Sequence, residues 1–348
     1  MLAEGFRCKS ARRAGRWRLA LVPVLVALLS VSCGGDSSTS AIPTSAPGTT
    51  ATAATVSAPE GLVLDGAGNL YVSEFEGNRV VKLTPDGLLA EVPLDDLSAP
   101  AGLAFDSDSN LVIADHHNNR ILRIDPSGVV TTLVGSSAGL NDPIGIAFDP
   151  DGNLIIADEQ NARLLRVDGG GGVVTLAGDG QAEVLDGGPA ARTKLSHPSS
   201  VLVDPAGDIV FSDFMLERVL RIDSSGRIMA VAGTGNGGFS GDGGPATRAK
   251  LDFPTGLAFD RDGGLLISDA NNNRVRRVDR HGVITTVAGT GSAGFAGDGR
   301  AATRAQLSAP TGLAVDADGN VYIADQGNDV VRKVDTAGLI TTIAGSHP

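Results

Sequence analysis

Pro254-Thr255-Gly256-Leu257-Ala258-Phe259-Asp260 opens the phrase that decides the fold. It runs on through Leu265-Leu266-Ile267-Ser268-Asp269 and Arg274-Val275-Arg276-Arg277-Val278-Asp279, and it closes on Gly282-Val283-Ile284-Thr285-Thr286-Val287-Ala288-Gly289. Asp262-Gly263-Gly264 and Asn271-Asn272-Asn273 mark turns, because glycine and asparagine tolerate positive φ where other residues do not. The apolar runs between them predict short strands, and Arg274 to Asp279 alternates Val275 and Val278 with arginines, as a strand with one wet face should. Versions of the phrase open at Pro59, Pro100, Pro143, Pro198, Pro254 and Pro310, at spacings of 41, 43, 55, 56 and 56 residues. A unit of that size with four strands and no helical period is a propeller blade, since one blade cannot bury both faces but each can pack between two neighbours. The expected fold is all-β: a six-bladed β-propeller, four antiparallel strands per blade, following a signal peptide and a flexible tether.

The blade phrases Asp269 to Asp279 and Asp115 to Asp125, with similar ones in every copy from Pro59 to Gly345, resemble those of NHL-repeat propellers. A WD-type propeller is disfavoured, because the chain's one tryptophan, Trp17, lies outside the repeats. Each copy supplies its own outermost strand, so ring closure shows no borrowed strand unless Thr49 to Val56 contributes one. The resemblance fits many roles, and function has to be sought where one blade departs from the others.

Upstream of the repeats, Arg7, Lys9, Arg12, Arg13, Arg16 and Arg18 precede an apolar run from Leu19 to Leu29. That run is too short to span a bilayer and reads as a secretory signal over residues 1–32. It ends in Leu29-Ser30-Val31-Ser32-Cys33, which resembles a bacterial lipobox with Cys33 as the lipidated residue, although Ser30 stands where such motifs usually carry leucine. Residues 33–57 are rich in Gly, Ser, Thr, Ala and Pro and read as a tether, leaving 58–346 for the propeller. The expected location is the cell envelope, on the outer side of the cytoplasmic membrane, or secretion if the lipobox is unused.

The chain carries a formal charge of −12; losing residues 1–32 removes six basic residues and one acid and takes it to −17. Such a field repels phosphate backbones and anionic head groups, so nucleic acid is excluded as an expected partner and membrane contact is left to the anchor. The two cysteines, Cys8 and Cys33, both precede the repeats, so burial rather than disulfides must hold the ring.

Residue types that recur in every blade serve the blade. The acids Glu74, Asp115, Asp158, Asp213, Asp269 and Asp325 precede the turn between second and third strands, and Arg79, Arg120, Arg163, Arg218 and Arg274 follow it. This ring of carboxylates is read as a set of turn locks, with Asp329 replacing the arginine in the sixth copy. The long connections Asp179 to His197, Thr234 to Phe253 and Thr290 to Ala309 share the face on which the inner strands begin. Each carries a version of Gly241 to Leu251, in which Pro245 and its successors suit a single helical turn capped by Asp242; one carboxylate per loop falls short of a calcium shell.

On that face the position after each blade's proline holds Glu60, Ala101, Ile144, Ser199, Thr255 and Thr311, a small funnel with one carboxylate. His116, His117 and His197 reach the same face. The candidate binding residues are therefore Glu60, Ser199, Thr255, Thr311, His116, His117 and His197, together with Phe214, Met215 and Leu216, which break an otherwise polar turn in the fourth blade. Propeller enzymes that resemble this chain, such as peptide α-amidating lyases and the gluconolactonase group, place His or acidic ligands from several blades around the axis. The sequence shows no such converging set, no Gly-x-Ser-x-Gly elbow and no cysteine nucleophile, so neither metal, cofactor nor catalytic residue is expected. The leading expectation is a module that binds a protein or small-molecule ligand on the long-loop face. The alternative is a propeller-type lyase or hydrolase with a metal at the axis.

Overall fold

The computed structural model describes residues 49–178 and 186–346, so the signal segment, Cys33 and the tether as far as residue 48 lie outside it. The described residues form six antiparallel sheets, each with its four strands in chain order, from Pro59–Leu64, Leu70–Glu74, Arg79–Leu83 and Leu88–Glu91 to Pro310–Val315, Val321–Asp325, Val330–Val334 and Leu339–Ala344. Every inner strand slips register just after its proline, as between Pro254 and Leu257, a bulge that turns the mouth of the strand toward the axis. Six apolar clusters fill the six gaps between neighbouring blades. Burial between blades therefore supplies the core, as a repeat unable to cover its own faces requires.

The turn between second and third strands explains the repeated acid. Asp115 and Asp158 each accept from an arginine five residues on, Arg120 and Arg163, both at 2.6 Å, and Glu74 accepts from Arg79 at 2.9 Å. The acids also accept backbone N–H groups from the connection in front of their own blade, Ser98 on Asp115 and Ser308 on Asp325 among them. In the fifth and sixth blades the partner changes. Asp269 pairs with Arg276 and Asp325 with Arg332, both fully buried. The alternation that put Arg276 on a wet face is thus corrected: the long loop covers that face, and Asp242 and Asp298 reach down from the two loops onto Arg276 and Arg332, each at 2.6 Å. Asp242 does not cap the turn Ala246–Arg248, which is a 3-10 turn without a side-chain cap; its second oxygen accepts from Thr286.

The last residue of each turn adopts positive φ: Asn78, Asn119, Ala162, Glu217, Asn273 and Asp329. This register corrects the sixth copy, where Val330, paired with Asp325, holds the arginine position and Asp329 aligns with the asparagines. The side chains of these residues reach the next blade. Asn78, Asn119, Glu217 and Asn273 accept from the backbone N–H just before the following proline, at Ala99, Asp142, Phe253 and Ala309. Asp329 does the same to Ala58 at 2.7 Å and so joins the last blade to the first.

The ring closes through the segment assigned to the end of the tether. Thr49–Thr50 pairs with Leu88–Leu89 on the outer edge of the first blade, as Arg300–Ala301 pairs with Leu339–Ile340 on the sixth. Ala51 and Val56 are buried in the gap between sixth and first blades, and Gly345 N–H donates to the Ala51 carbonyl at 3.1 Å. Ala51 to Val56 stands where Ala246 to Leu251 and Ala302 to Leu307 stand in the long connections. Residues 49–57 therefore pack as part of the propeller.

Candidate functional site

The inner strands enclose an axial channel of about 450 Å³, lined from Glu60, Ile144, Ser199 and Gly256 at one end to Phe105, Phe148 and Phe259 at the other. Among its described lining residues Glu60 alone is ionisable. Its carboxylate accepts from Gln326 Nε2 at 2.5 Å, and burial, helped by the negative charge of Glu159, pushes its pKa up to about 7 against the lowering effect of that hydrogen bond. The group is poised to change charge near neutrality.

Two of the funnel hydroxyls serve the frame. Thr255 Oγ1 donates to the Pro310 carbonyl at 3.3 Å and Thr311 Oγ1 to the Pro59 carbonyl at 3.0 Å, so each staples its blade to the next. Ser199 is buried beside them.

Around this inner ring lies a second one that sequence reasoning missed. The residue following each turn acid is Phe75, His116, Glu159, Phe214, Ala270 and Gln326, five residue types on one repeated position. Phe75 in the first blade is thus the counterpart of Phe214 in the fourth. Counting one residue on from the repeated acid would have found the ring. Glu159 is buried, accepts from Gln160 Nε2 at 3.0 Å and has its pKa raised to about 7, chiefly by burial and then by the charges of Asp142 and Asp213.

The apolar triplet of the fourth blade divides three ways. Leu216 packs against the cluster between third and fourth blades, Phe214 is half-buried between the rings of His197 at 5.1 Å and Phe253 at 4.3 Å, and Met215 is 55% exposed. His197 is held by this stack and by Ser196 Oγ at 3.1 Å from its Nδ1.

The two other histidines end in a different setting. His116 is buried, with Nδ1 3.2 Å from the Pro143 carbonyl, and burial lowers its pKa. His117 is exposed beside it, and Phe75 lies against both rings at 5.4 and 5.5 Å. Asp142, from the connection into the third blade, brings a carboxylate oxygen to 4.0 Å from His116 Nε2. One ligand atom from each of the three lies within 4.8 Å of the others. The grouping lies away from the axis, where the expectation sought converging ligands; a short connection with positive φ at Asp142 brings in a third group that the repeat does not encode. None of the three lines the channel. At the axis itself a lone carboxylate among glycines, alanines and aliphatic residues does not fit a metal shell, so no chemical step is assigned to an axial ion.

Comparison with known proteins extends this picture. The family described as SMP-30/Gluconolactonase/LRE-like region matches residues 102–345. Mouse teneurin-3 is 33% identical over 174 residues, 46% of this chain and 6% of its own length. The chloroplastic protein SUPPRESSOR OF QUENCHING 1 of Arabidopsis thaliana is 28% identical over 166 residues, 45% of this chain and 16% of its own. The chain thus spans only a small part of these relatives. Among solved structures, an auxiliary nutrient binding protein from Bacteroides ovatus superposes with a TM-score of 0.66 at 19% identity, covering 83% of this chain and 70% of that one. A virginiamycin B lyase from Staphylococcus aureus gives 0.55 at 17%, covering 83% and 86%. At such identities the likeness is one of fold.

Proposed function

The chain belongs to the SMP-30/gluconolactonase/LRE-like family, and from that premise we propose that it is an extracytoplasmic, lipid-anchored binding module that takes a small organic cation at the long-loop mouth of its channel. The fold is shared with a nutrient binding protein and with a lyase, so the lining has to decide between binding and turnover. The observation that carries the reading is Glu60: one titratable carboxylate, steadied by Gln326, in a channel whose remaining walls are neutral. A strongly acidic protein draws cations toward such a mouth, and a single carboxylate anchors one without the partner groups that acid–base or nucleophilic catalysis needs.

Titration with a panel of primary amines, cationic dipeptides and sugar lactones tests this. Amines and cationic dipeptides are expected to bind near pH 8 and to bind about tenfold to a hundredfold more weakly near pH 5.5 or in Glu60→Gln, the loss of one charged hydrogen bond. Stability should move the other way. A carboxyl whose folded pKa lies above its unfolded value contributes stability below the unfolded value and loses it as pH rises through about 7, so Glu60→Gln should melt higher than the parent near pH 8 but not near pH 4. Binding indifferent to Glu60→Gln, or hydrolysis of a lactone that Glu60→Gln abolishes, would refute the binding reading.

The anchor rests on Cys33 and the apolar run before it. Cys33→Ala is expected to shift the protein from the membrane to the soluble fraction while the propeller stays folded, since a single covalent anchor accounts for the attachment. Cell fractionation with a melting curve checks both halves; a variant still in the membrane fraction would remove the anchor.

A further inference from the structure

We infer that His116, His117 and Asp142 form a divalent transition-metal site, suited to zinc, on the rim between the second and third blades and separate from the axial channel. The donor set is two imidazoles and a carboxylate, which zinc takes in a tetrahedral shell with one position left open; calcium and magnesium prefer all-oxygen shells. The second shell is already in place. His116 Nδ1 lies 3.2 Å from the Pro143 carbonyl, which accepts its proton and leaves Nε2 as the lone-pair atom facing Asp142. Asn119, the last residue of the histidine turn, accepts from the Asp142 N–H at 2.7 Å and ties the carboxylate-bearing connection to that turn. His117 N–H donates to the Ser98 carbonyl at 3.1 Å, so the backbones of His117 and Asp142 and the ring of His116 are held from outside the cluster.

The ligand atoms are mutually within 4.8 Å, whereas tetrahedral zinc with bonds of about 2.0–2.2 Å places its ligands roughly 3.3 Å apart. Closing that gap takes a rotamer adjustment, and the exposed His117 and half-buried Asp142 are free to make it while His116 stays fixed. Phe75, lying against both imidazoles in tilted and edge-on contact, keeps one side of the cluster apolar. No other grouping of three His, Cys, Asp or Glu ligand atoms of this closeness occurs among the described residues. The inference does not depend on Glu60 holding a ligand, because the two sites share no residue.

Equilibrium dialysis and calorimetry with Zn²⁺ alone, followed by the visible spectrum with Co²⁺ as a substitute, test the site on the whole propeller. One zinc per chain and a tetrahedral cobalt spectrum are expected. His117→Ala and Asp142→Asn should each weaken zinc binding at least tenfold to a hundredfold, and Phe214→Ala, next to the third histidine, should leave it unchanged. His117 is exposed, so its variant reads the site without endangering the fold; melting curves recorded alongside confirm that. Zinc stoichiometry that survives in His117→Ala and Asp142→Asn, or no saturable zinc in the parent, would overturn the assignment, and neither result bears on the amine titration that tests Glu60.

Discussion

Arg276→Leu is expected to cost about 3–5 kcal/mol of stability, the loss typical of a buried ion pair deprived of one partner. The third strands of the first four blades carry Val81, Leu122, Leu165 and Leu220 at this place, opposite a core residue of the second strand. The fifth blade carries Arg276 opposite Ile267, and the guanidinium is fully buried. It donates to Asp269 at 3.0 Å, to Asp242 at 2.6 and 3.1 Å and to the Ser240 carbonyl at 3.2 Å, and it lies 4.7 Å from the Phe239 ring. Leucine fits the strand as it does in three earlier blades, so the cost comes from the acids it abandons. Asp269 is fully buried and would hold a charge with only its Asn272 and Asp252 donors left.

Two companion variants separate that cause from packing. Asp269→Asn introduced together with Arg276→Leu should restore a substantial part of the loss, because the stranded charge is gone. Arg276→Lys should fall between, since an ammonium cannot span both carboxylates as a planar guanidinium does. Urea unfolding of these proteins, with Asp269→Asn alone to complete the double-mutant cycle, measures the coupling. The loop around Asp242 should also become sensitive to protease in Arg276→Leu, as its tie to the blade is cut. A loss below about 1 kcal/mol, or no rescue by Asp269→Asn, would show that the pair is not what fixes the loop.

The repeated phrase made the blades legible because everything in it is local: turn glycines, an acid before the turn and apolar alternation. The carboxylate ring was readable as structure for the same reason, since a type that returns in every copy must satisfy something every copy has. Arg276 was misread because strand alternation reports which side a residue faces, not what later covers that side. The cover is a loop whose Asp242 lies 34 residues away in the chain. Ala51 to Val56 was read as tether, with a strand for ring closure left open, because a loop copy needs only a small residue and an apolar anchor at fixed spacing, and Ala51 and Val56 supply both without Ala246's flanking Pro245 and Arg248.

At the mouth, Glu60 could be found from the inner-strand repeat alone, but its hydrogen bond to Gln326 joins residues 266 apart across the ring closure. Asp142 belongs to no repeated position of the acid ring. It became a neighbour of His116 and His117 through the Asn119 contact that locks their turn to the next blade. The general lesson lies in the geometry: repeats place equivalent residues in rings, and the chemistry arises where non-equivalent residues of two rings meet.

Gly256→Ala is expected to destabilise the protein by about 2–4 kcal/mol, through a clash that the ring geometry cannot relieve locally. Each inner strand just past its proline runs against the backbone of the next blade. A Cβ on Gly256 would stand 2.0 Å from the Thr311 carbonyl oxygen and 2.8 Å from its carbon, well inside contact distance, and the obstacle is backbone rather than a movable side chain. The same carbonyl accepts from Ser268 Oγ at 2.5 Å, a bond that fastens the second strand of the fifth blade to the mouth of the sixth. Relief would require the two blades to part, which breaks that bond and opens the packed gap between them. A Cβ added at Gly61, Gly102, Gly145 or Gly312 would likewise stand 2.1 to 2.2 Å from the neighbouring carbonyl oxygen, so the constraint recurs around the ring. The fourth blade is the exception: Ser200 occupies the position, and its Oγ accepts from Leu257 N–H at 3.2 Å. Ser200→Ala keeps the Cβ already accommodated there and should cost only about 1 kcal/mol, the worth of one hydrogen bond. Because Thr311 lies at the channel mouth, Gly256→Ala should also displace it and loosen any cation held at Glu60, which a titration of the folded variant reads separately from its melting point. Equal melting temperatures for Gly256→Ala and Ser200→Ala would show that the blades can separate at no cost, and the close approach of carbonyl to glycine would then not be what sets the width of the channel.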